Sequence, residues 1–278
     1  MIRRVTLAFA ILALAGSQAA ADTLKRIAES GVIRIGHRMD AQPHSFRDAT
    51  GHVGGYIVDL CRDVVLSVQQ QLKRDVNIEF VVVTSESRFT ALRENKIDLL
   101  CEPTSITISR REIVDFSIPT FIDGAGVAFR GAEIDRFEDF TNKKIGVLAG
   151  TTTHELLRTS LAQLNIRAEL VVVKDHRDGI RQLNEGKLDA YFADRAILAY
   201  LFARRDAGQN FKLGKRYFSY ETYGLALQLG DAPFRLLIDR TLARLARQGR
   251  IEALANKNFG MSADELLRTM IAINSLPE

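Results

Sequence analysis

The sequence has no tryptophan, and its two cysteines, Cys61 and Cys101, are too few and too far apart for a zinc site of the C-x-x-C type. It has no H-E-x-x-H motif and no cluster that combines histidine with cysteine. We therefore predict no metal site and no cofactor.

The chain has no large excess of one charge, and no long apolar run follows its N-terminal segment. The 38 basic and 34 acidic residues nearly balance, and no basic block is interleaved with aromatic residues, which argues against nucleic acid as a partner. No later stretch approaches the roughly 18 consecutive apolar residues of a membrane span. With 46% hydrophobic residues the chain can bury a sizeable core, and we predict two separate hydrophobic cores.

The N-terminus has the pattern of a cleavable signal peptide. Arg3 and Arg4 precede an apolar run at 7–15, and small residues of the A-x-A type follow at 19–21. We predict a signal peptide at 1–21 and export to the periplasm. Removal of the two arginines lowers the formal charge from +4 to about +2. Residue 22 is aspartate, so no lipid-anchored N-terminus is indicated.

Export would place Cys61 and Cys101 in a compartment where a disulfide can persist. We predict that the two cysteines pair. Two buried free thiols are the alternative, because spacing in the sequence does not establish the geometry that a disulfide needs.

Apolar patterns predict alternating strands and helices. A strand at 32–36 precedes a helix that begins near Tyr56, where apolar residues recur at helical spacing. The segment 78–83 is nearly all apolar and rich in β-branched residues, so we predict a strand that is covered on both faces. Further strands are predicted at 144–148 and 223–229, and further helices at 151–164, 196–204, 233–249 and from 263 onward.

An internal repeat indicates two similar lobes. The heptapeptide LRENKID at 92–98 returns 91 residues later as LNEGKLD at 183–189, and each copy ends a predicted helix before an apolar strand, at 97–101 and 188–192. The same offset aligns Ser85 with His176 and Pro103 with Asp194. These positions follow strands, and the carboxyl ends of strands are where open α/β sheets bind ligands.

No linker rich in proline, glycine or serine separates the lobes. We predict that two extended segments, 124–130 and 221–228, cross between them in opposite directions. Lobe 1 then comprises 22–127 plus 226–278, and lobe 2 comprises 128–225. Paired crossings of this kind act as a hinge between rigid bodies.

The stretch 101–121 has hydroxyl residues that lead into an arginine, Arg110. A guanidinium binds a carboxylate with two parallel hydrogen bonds, and neighbouring hydroxyls satisfy its other lone pairs. The turn 149–153 opens a predicted helix, whose free N–H groups attract anions. The alternatives are a solvated turn with a surface arginine, and plain N-capping by Thr151.

Several short motifs carry a resemblance to a known family. In order they are GVIRIGHR at 31–38, GGYIVDLC at 54–61, TSESR at 84–88, DFS at 115–117, AGTT at 149–152, KDH at 174–176 and YFAD at 191–194. The chain resembles family 3 extracellular solute-binding proteins of ABC importers, and within them the periplasmic glutamate/aspartate-binding proteins. This implies a two-lobed α/β fold of the periplasmic-binding-protein type (type II, Venus-flytrap) with a two-strand hinge. It also implies an inner-membrane permease as partner and a monomer.

The resemblance also implies a set of ligand-binding residues. Arg110, with Ser105 and Thr151, would bind the carboxylate of an amino acid. Asp194 and the Pro103 carbonyl would accept hydrogen bonds from its ammonium group. The alternative for Asp194 is a helix N-cap.

A second ligand carboxylate would need further partners, because burial of an unpaired charge is costly. The family's cationic groups match Arg38, Arg88 and His176, with Ser85 beside them. Three such donors would overcharge a site for a neutral ligand, so glutamate or aspartate is predicted. A solvated surface position for either arginine, and a satisfied loop position or an N-cap for His176, are the alternatives.

The sequence departs from the family at Glu102-Pro103, where relatives have Gly-Ser, and at Leu148-Ala149, where relatives have hydroxyl residues. We expect Glu102 to point away from the cleft into lobe 1. The alternatives to an acidic amino acid are another polar amino acid, a sensory module, or an enzyme that resembles cyclohexadienyl dehydratase with Glu102 as general acid. We predict that the protein is not an enzyme.

Overall fold

The computed structural model describes residues 22–204, 210–260 and 263–277, and the predicted signal peptide lies outside them. The helices are α1 (Thr23–Ser30), α2 (Tyr56–Leu72), α3 (Arg88–Arg93), α4 (Ile108–Arg111), α5 (Thr152–Gln163), α6 (His176–Asn184), α7 (Arg195–Ala203), α8 (Ala232–Arg247), α9 (Arg250–Phe259) and α10 (Glu265–Asn274). A 3₁₀ turn spans Phe137–Phe140. None of the helices in these ranges is long and apolar enough to cross a membrane.

The strands form two larger sheets and two small ones. The strands are β1 (Val32–His37), β2 (Asp40–Ala41), β3 (Ser45–Arg47), β4 (Val53–Gly54), β5 (Asn77–Val82), β6 (Leu99–Leu100), β7 (Val114–Phe116), β8 (Phe121–Asp123), β9 (Ala125–Phe129), β10 (Lys144–Leu148), β11 (Glu169–Val173), β12 (Ala190–Asp194), β13 (Lys212–Leu213), β14 (Glu221–Tyr223) and β15 (Ala226–Gln228). Strands β2, β3 and β4 form one small sheet, and β8 with β14 the other.

The two five-stranded sheets have the same strand order. The first is β5-β1-β6-β15-β7 and the second is β11-β10-β12-β9-β13. In each sheet a central strand pairs in parallel with two neighbours, and the fourth strand, β15 or β9, pairs antiparallel with the third. The repeated heptapeptide leads into β6 and β12, which hold equivalent places. The predicted pair of similar lobes is therefore confirmed.

The chain crosses between the lobes beside the two-stranded sheet of β8 and β14, in which Asp123 pairs with Glu221 and Phe121 with Tyr223. After Gly124 the chain enters the second sheet as β9. A Cβ atom at Gly124 would lie 1.8 Å from the Ser219 carbonyl oxygen, so this close approach requires glycine. The boundary predicted at 127/128 falls inside β9, and we propose that the first crossing is at Gly124.

Three local predictions differ from the structure, and one helix was not predicted. Strand β5, at the edge of its sheet, was predicted to be covered on both faces, which is wrong because none of its residues is fully buried and Val82 is 47% exposed. The strand predicted at 97–101 is only Leu99–Leu100, and the one at 223–229 is split between β14 and β15. Helix α9 was not predicted. It begins after Gly249, whose φ of 69° ends α8.

Cys61 and Cys101 form a disulfide, which confirms the predicted pairing. Both residues are fully buried in the core of the first lobe. The bond joins α2 to the chain just after β6, and it closes a loop with a sequence separation of 40. A crosslink of this span stabilises the folded chain by about 4 kcal/mol, mainly by restricting the unfolded chain. It therefore anchors the start of the loop that carries the hydroxyl residues.

A cluster of aromatic rings supports the hinge from the side of the first lobe. The imidazole of His44 lies against Tyr56, Phe121, Tyr223 and Phe259, with its closest ring centroid, that of Phe121, at 4.9 Å. Neither ring nitrogen of His44 has a hydrogen-bond partner among the described residues. Burial lowers the pKa of His44 to about 3. The ring is therefore neutral at physiological pH and acts as an apolar filler between α2, α9 and the hinge strands.

Candidate functional site

The loops at the carboxyl ends of strands from both sheets meet in one cleft. Among the described residues, three hydrogen-bonding pairs of candidate site groups lie across it. The Arg88 guanidinium donates to the Gly150 carbonyl at 3.0 Å, and the Ser105 and Thr152 hydroxyls lie 3.2 Å apart. The third contact runs from the His176 N–H to the Asp40 carboxylate at 2.9 Å. The structure therefore brings predicted site residues from the two lobes together in a closed arrangement.

Arg110 is held at the end of the hydroxyl-rich loop by α4, which Thr107 caps by accepting from the Arg110 N–H. Its guanidinium donates to the Ser105 carbonyl at 2.8 Å and lies 5.3 Å from the centre of the Phe89 ring. Burial and then the charge of Arg88 lower the pKa of Arg110 to about 10, so it stays charged at neutral pH. No carboxylate of the described residues forms an ion pair with it. Arg110 can thus bind an incoming carboxylate.

The N-terminus of α5 faces this loop. Thr151 is the N-cap and accepts from the His154 N–H at 3.1 Å, as the capping alternative predicted. The first N–H groups of the helix have no helical acceptor, and they favour a negative charge. At Gly150, φ is 73° and a Cβ atom would lie 2.8 Å from the Ser85 carbonyl oxygen. Glycine therefore lets this helix start approach the first lobe.

Asp194 occupies the N-cap position of α7, but its side chain makes no capping hydrogen bond. Asp123 takes that role instead and accepts from the Ala196 N–H at 3.1 Å. The N-cap alternative for the Asp194 carboxylate is therefore wrong. The Asp194 carboxylate therefore does not cap α7.

Three carboxylates crowd the hinge side of the cleft: Asp123, Asp194 and Glu221. Burial, followed by the charges of Asp123 and Glu221, raises the pKa of Asp194 well above its usual range. Burial likewise raises the pKa of Asp123 to about 7, although the Tyr223 hydroxyl donates to it at 3.1 Å. None of these three carboxylates forms an ion pair among the described residues, although the charge of Arg88 acts on Asp194. A ligand ammonium group would supply a positive charge in direct contact.

His176 begins α6, and its ring Nδ1 lies 2.8 Å from the Tyr191 hydroxyl. Burial lowers the pKa of His176 to about 4, against the opposing effect of the Asp40 charge. At neutral pH the ring is therefore a neutral hydrogen-bonding group. It is not the third positive charge that the family resemblance suggested.

Arg38 and Arg88 are buried, so the surface alternative is wrong for both. Arg38 pairs with Asp40 at 2.8 Å, and Arg88 pairs with Glu102 at 2.5 Å. The second Glu102 oxygen lies 3.6 Å from Arg38. Glu102 was expected to point away from the cleft into lobe 1, and its fully buried carboxylate lies between these two arginines of that lobe. Two cations are thus balanced by two carboxylates of the chain itself.

The other predicted residues lie around these groups. The Pro103 carbonyl accepts from Arg88 at 3.4 Å, and Ser105 is buried beside Arg110. Ser85 and Arg38 line one cavity between the lobes, about 660 Å³ in volume. Each predicted site residue thus lies in or beside the cleft.

Sequence reasoning missed three groups at this site. Asp40 follows Arg38 by two residues, a spacing that could have suggested the ion pair. The Thr152 hydroxyl donates to Glu221 at 2.5 Å across the hinge. No sequence signal links these two, because they are 69 residues apart and meet only through the fold.

Comparison with known proteins agrees with this geometry. Residues 33–261 match the model of the family described as bacterial extracellular solute-binding proteins, family 3. The chain is 31% identical over 264 residues to the glutamate/aspartate import solute-binding protein of Escherichia coli K12, covering 91% of this chain and 87% of that protein. It is 30% identical over 268 residues to the protein of the same name from Salmonella typhimurium LT2, covering 93% and 89%.

Solved structures share the fold. The crystal structure of the ancestral amino acid-binding protein AncCDT-1, a precursor of cyclohexadienyl dehydratase, superposes with a TM-score of 0.76 at 26% identity. The match covers 86% of this chain and all of that one. The predicted type II periplasmic-binding-protein fold is confirmed, and its two lobes meet at a two-strand hinge. The chain belongs to the bacterial extracellular solute-binding proteins of family 3.

Proposed function

We propose that this protein is the periplasmic substrate-binding component of an ABC importer for acidic amino acids, with glutamate or aspartate bound in the cleft between the lobes. The observation that carries the proposal is the division of charge within the cleft. Arg110 has no carboxylate partner among the described residues, while Asp194 lies among carboxylates that need a cation. The carboxylate and ammonium groups of an amino acid complement these two ends.

The main-chain groups of the ligand have specific partners in this proposal. Its α-carboxylate binds the Arg110 guanidinium with two hydrogen bonds, and the Ser105 hydroxyl and the Thr151 N–H satisfy the remaining lone pairs. Its ammonium group donates to Asp194 and to the Pro103 carbonyl. Because both lobes contribute partners, the ligand stabilises the closed arrangement through contacts that an open cleft lacks.

The relatives named for glutamate and aspartate support the choice of an acidic side chain. Arg38 and Arg88 are the cations for its second carboxylate, and Ser85 and neutral His176 are additional hydrogen-bonding groups. The side-chain carboxylate of the ligand must compete there with Asp40 and Glu102, which already form ion pairs with Arg38 and Arg88.

The remaining parts of the proposal concern the protein's cycle. The signal peptide at 1–21 directs export, and the monomer closes on its ligand by rotation of lobe 2 (128–225) against lobe 1 (22–127 plus 226–278). The closed form then delivers the ligand to an inner-membrane permease. We propose binding rather than catalysis because Glu102, the candidate general acid, is held by Arg88 and Thr104 and does not face open cleft.

Calorimetric titration tests this function. The protein is unfolded and refolded to remove any bound ligand, and is then titrated with L-glutamate, L-aspartate, L-glutamine and prephenate. We expect saturable binding of one molecule of glutamate or aspartate and no conversion of prephenate. Binding of glutamine alone, or turnover of prephenate, would contradict the proposal.

A further inference from the structure

The Glu102 carboxylate lies among the groups that the proposed function assigns to the second carboxylate of the ligand. It pairs with Arg88 at 2.5 Å, accepts from the Thr104 hydroxyl and lies 3.6 Å from Arg38. It is fully buried. Burial is the largest influence on the pKa values of Arg38, Arg110 and His176, and the charge of Glu102 opposes it at each of them. One side chain of the protein thus influences every basic group of the site.

Two buried polar atoms at this carboxylate lack hydrogen-bond partners among the described residues. The Glu102 Oε2 atom and the Arg88 Nε atom are both buried without a hydrogen-bond partner in the described part of the chain. Buried polar groups are normally satisfied, and unsatisfied ones are costly. Arg88 therefore retains one N–H donor for a further acceptor, although the charges of Arg88 and Arg38 are already balanced by Glu102 and Asp40.

Two ionised carboxylates in one buried site repel each other strongly. An acidic ligand must therefore compete with Glu102 for Arg88. A ligand with a neutral side chain leaves the Arg88–Glu102 pair undisturbed. Competition with Glu102 therefore weakens the binding of acidic ligands and does not affect ligands with a neutral side chain.

We infer that Glu102 is the specificity-determining residue of the cleft, an internal counter-ion that competes with the side-chain carboxylate of the ligand for Arg88 and Arg38. This inference rests on the proposed function. It predicts weaker binding of glutamate and aspartate than the arginines alone would give. It also predicts a smaller preference for glutamate over glutamine than an unobstructed pair of arginines would show.

The substitution Glu102→Gln tests the inference, because it keeps the shape of the side chain and removes the competing charge. Glutamate and aspartate are expected to bind at least about tenfold more tightly to this variant, which is the scale of one unfavourable close charge pair. Glutamine is expected to bind no more tightly than before. The ratio of glutamate to glutamine affinity should therefore widen by at least about tenfold.

A matched control is Glu29→Gln. Glu29 is an exposed carboxylate of α1, and it forms no ion pair among the described residues. Its removal changes the net charge by the same amount and should leave the affinities within about twofold, since exposed charges contribute little.

Loss of Glu102 leaves two buried arginines short of one counter-charge, which lowers stability. The shift in unfolding temperature on addition of glutamate is therefore measured for Glu102→Gln and for Glu102→Ala. Both shifts should exceed that of the wild-type protein. If wild-type protein binds glutamate and both variants bind it equally or more weakly, the inference is overturned and the proposed function stands. If neither wild-type protein nor variant binds an acidic amino acid, the proposed function fails and the inference with it.

Discussion

Replacement of Arg110 with glutamine is expected to lower the affinity for glutamate and aspartate by at least about a hundredfold, or roughly 3 kcal/mol. Arg38 and Arg88 have carboxylate partners in the chain, whereas Arg110 donates to the Ser105 carbonyl and pairs with no carboxylate of the described residues. Its charge is therefore the one left for the α-carboxylate. Calorimetry on the refolded variant measures the loss.

Arg111→Gln is the matched control, because Arg111 is the next residue of α4 and its side chain is exposed. This variant should bind glutamate like the wild-type protein. An Arg110→Gln protein that keeps wild-type affinity, with a normal unfolding temperature, would show that the α-carboxylate binds elsewhere.

The second large effect concerns stability in acid. His44 has a pKa of about 3 in the folded chain, against 6.5 for an ordinary histidine. Its contribution to stability is therefore complete above about pH 6.5 and is lost as the pH falls toward 3, because only the unfolded chain gains the proton. At pH 5 the loss amounts to about 2 kcal/mol, at about 1.4 kcal/mol per pH unit.

Substitution of His44 by phenylalanine removes this proton uptake and keeps a ring among Tyr56, Phe121 and Phe259. The free energy of unfolding, measured by urea titration between pH 7 and pH 5, should fall by about 2 kcal/mol less in the variant than in the wild-type protein. His176 and Asp123 titrate in both proteins, so the difference isolates His44. His52→Phe, at an exposed ring, should retain the wild-type slope. Equal slopes for wild type and His44→Phe would contradict the assignment.

Much of the fold follows from local sequence patterns. The repeated heptapeptide leads into β6 and β12, and these strands hold the same place in two sheets of the same order. The pairing of Cys61 with Cys101 agrees with an exported chain. The exposure of β5 could not be predicted in the same way. This strand lies at an edge of its sheet, and the strand order depends on pairing between distant segments.

The sequence predicted residues that the fold places near one cleft, but it did not predict the electrostatic interactions between them. The loop through Arg110 and the strand end at Asp194 were found because hydroxyl, basic and acidic residues follow apolar strands. The sequence could not show that Glu102 turns inward to Arg88, since that depends on the arrangement of two loops. Nor could it show that burial keeps His176 neutral. Both findings change the balance of charge on which ligand choice depends.

A crystal structure of the refolded protein in complex with L-glutamate tests the proposed binding mode. We expect one ligand in the cleft, with its α-carboxylate within about 3 Å of the Arg110 guanidinium and its ammonium group at the same distance from Asp194. A ligand whose α-carboxylate contacts Arg38 or Arg88 instead, or one bound outside the cleft, would contradict it.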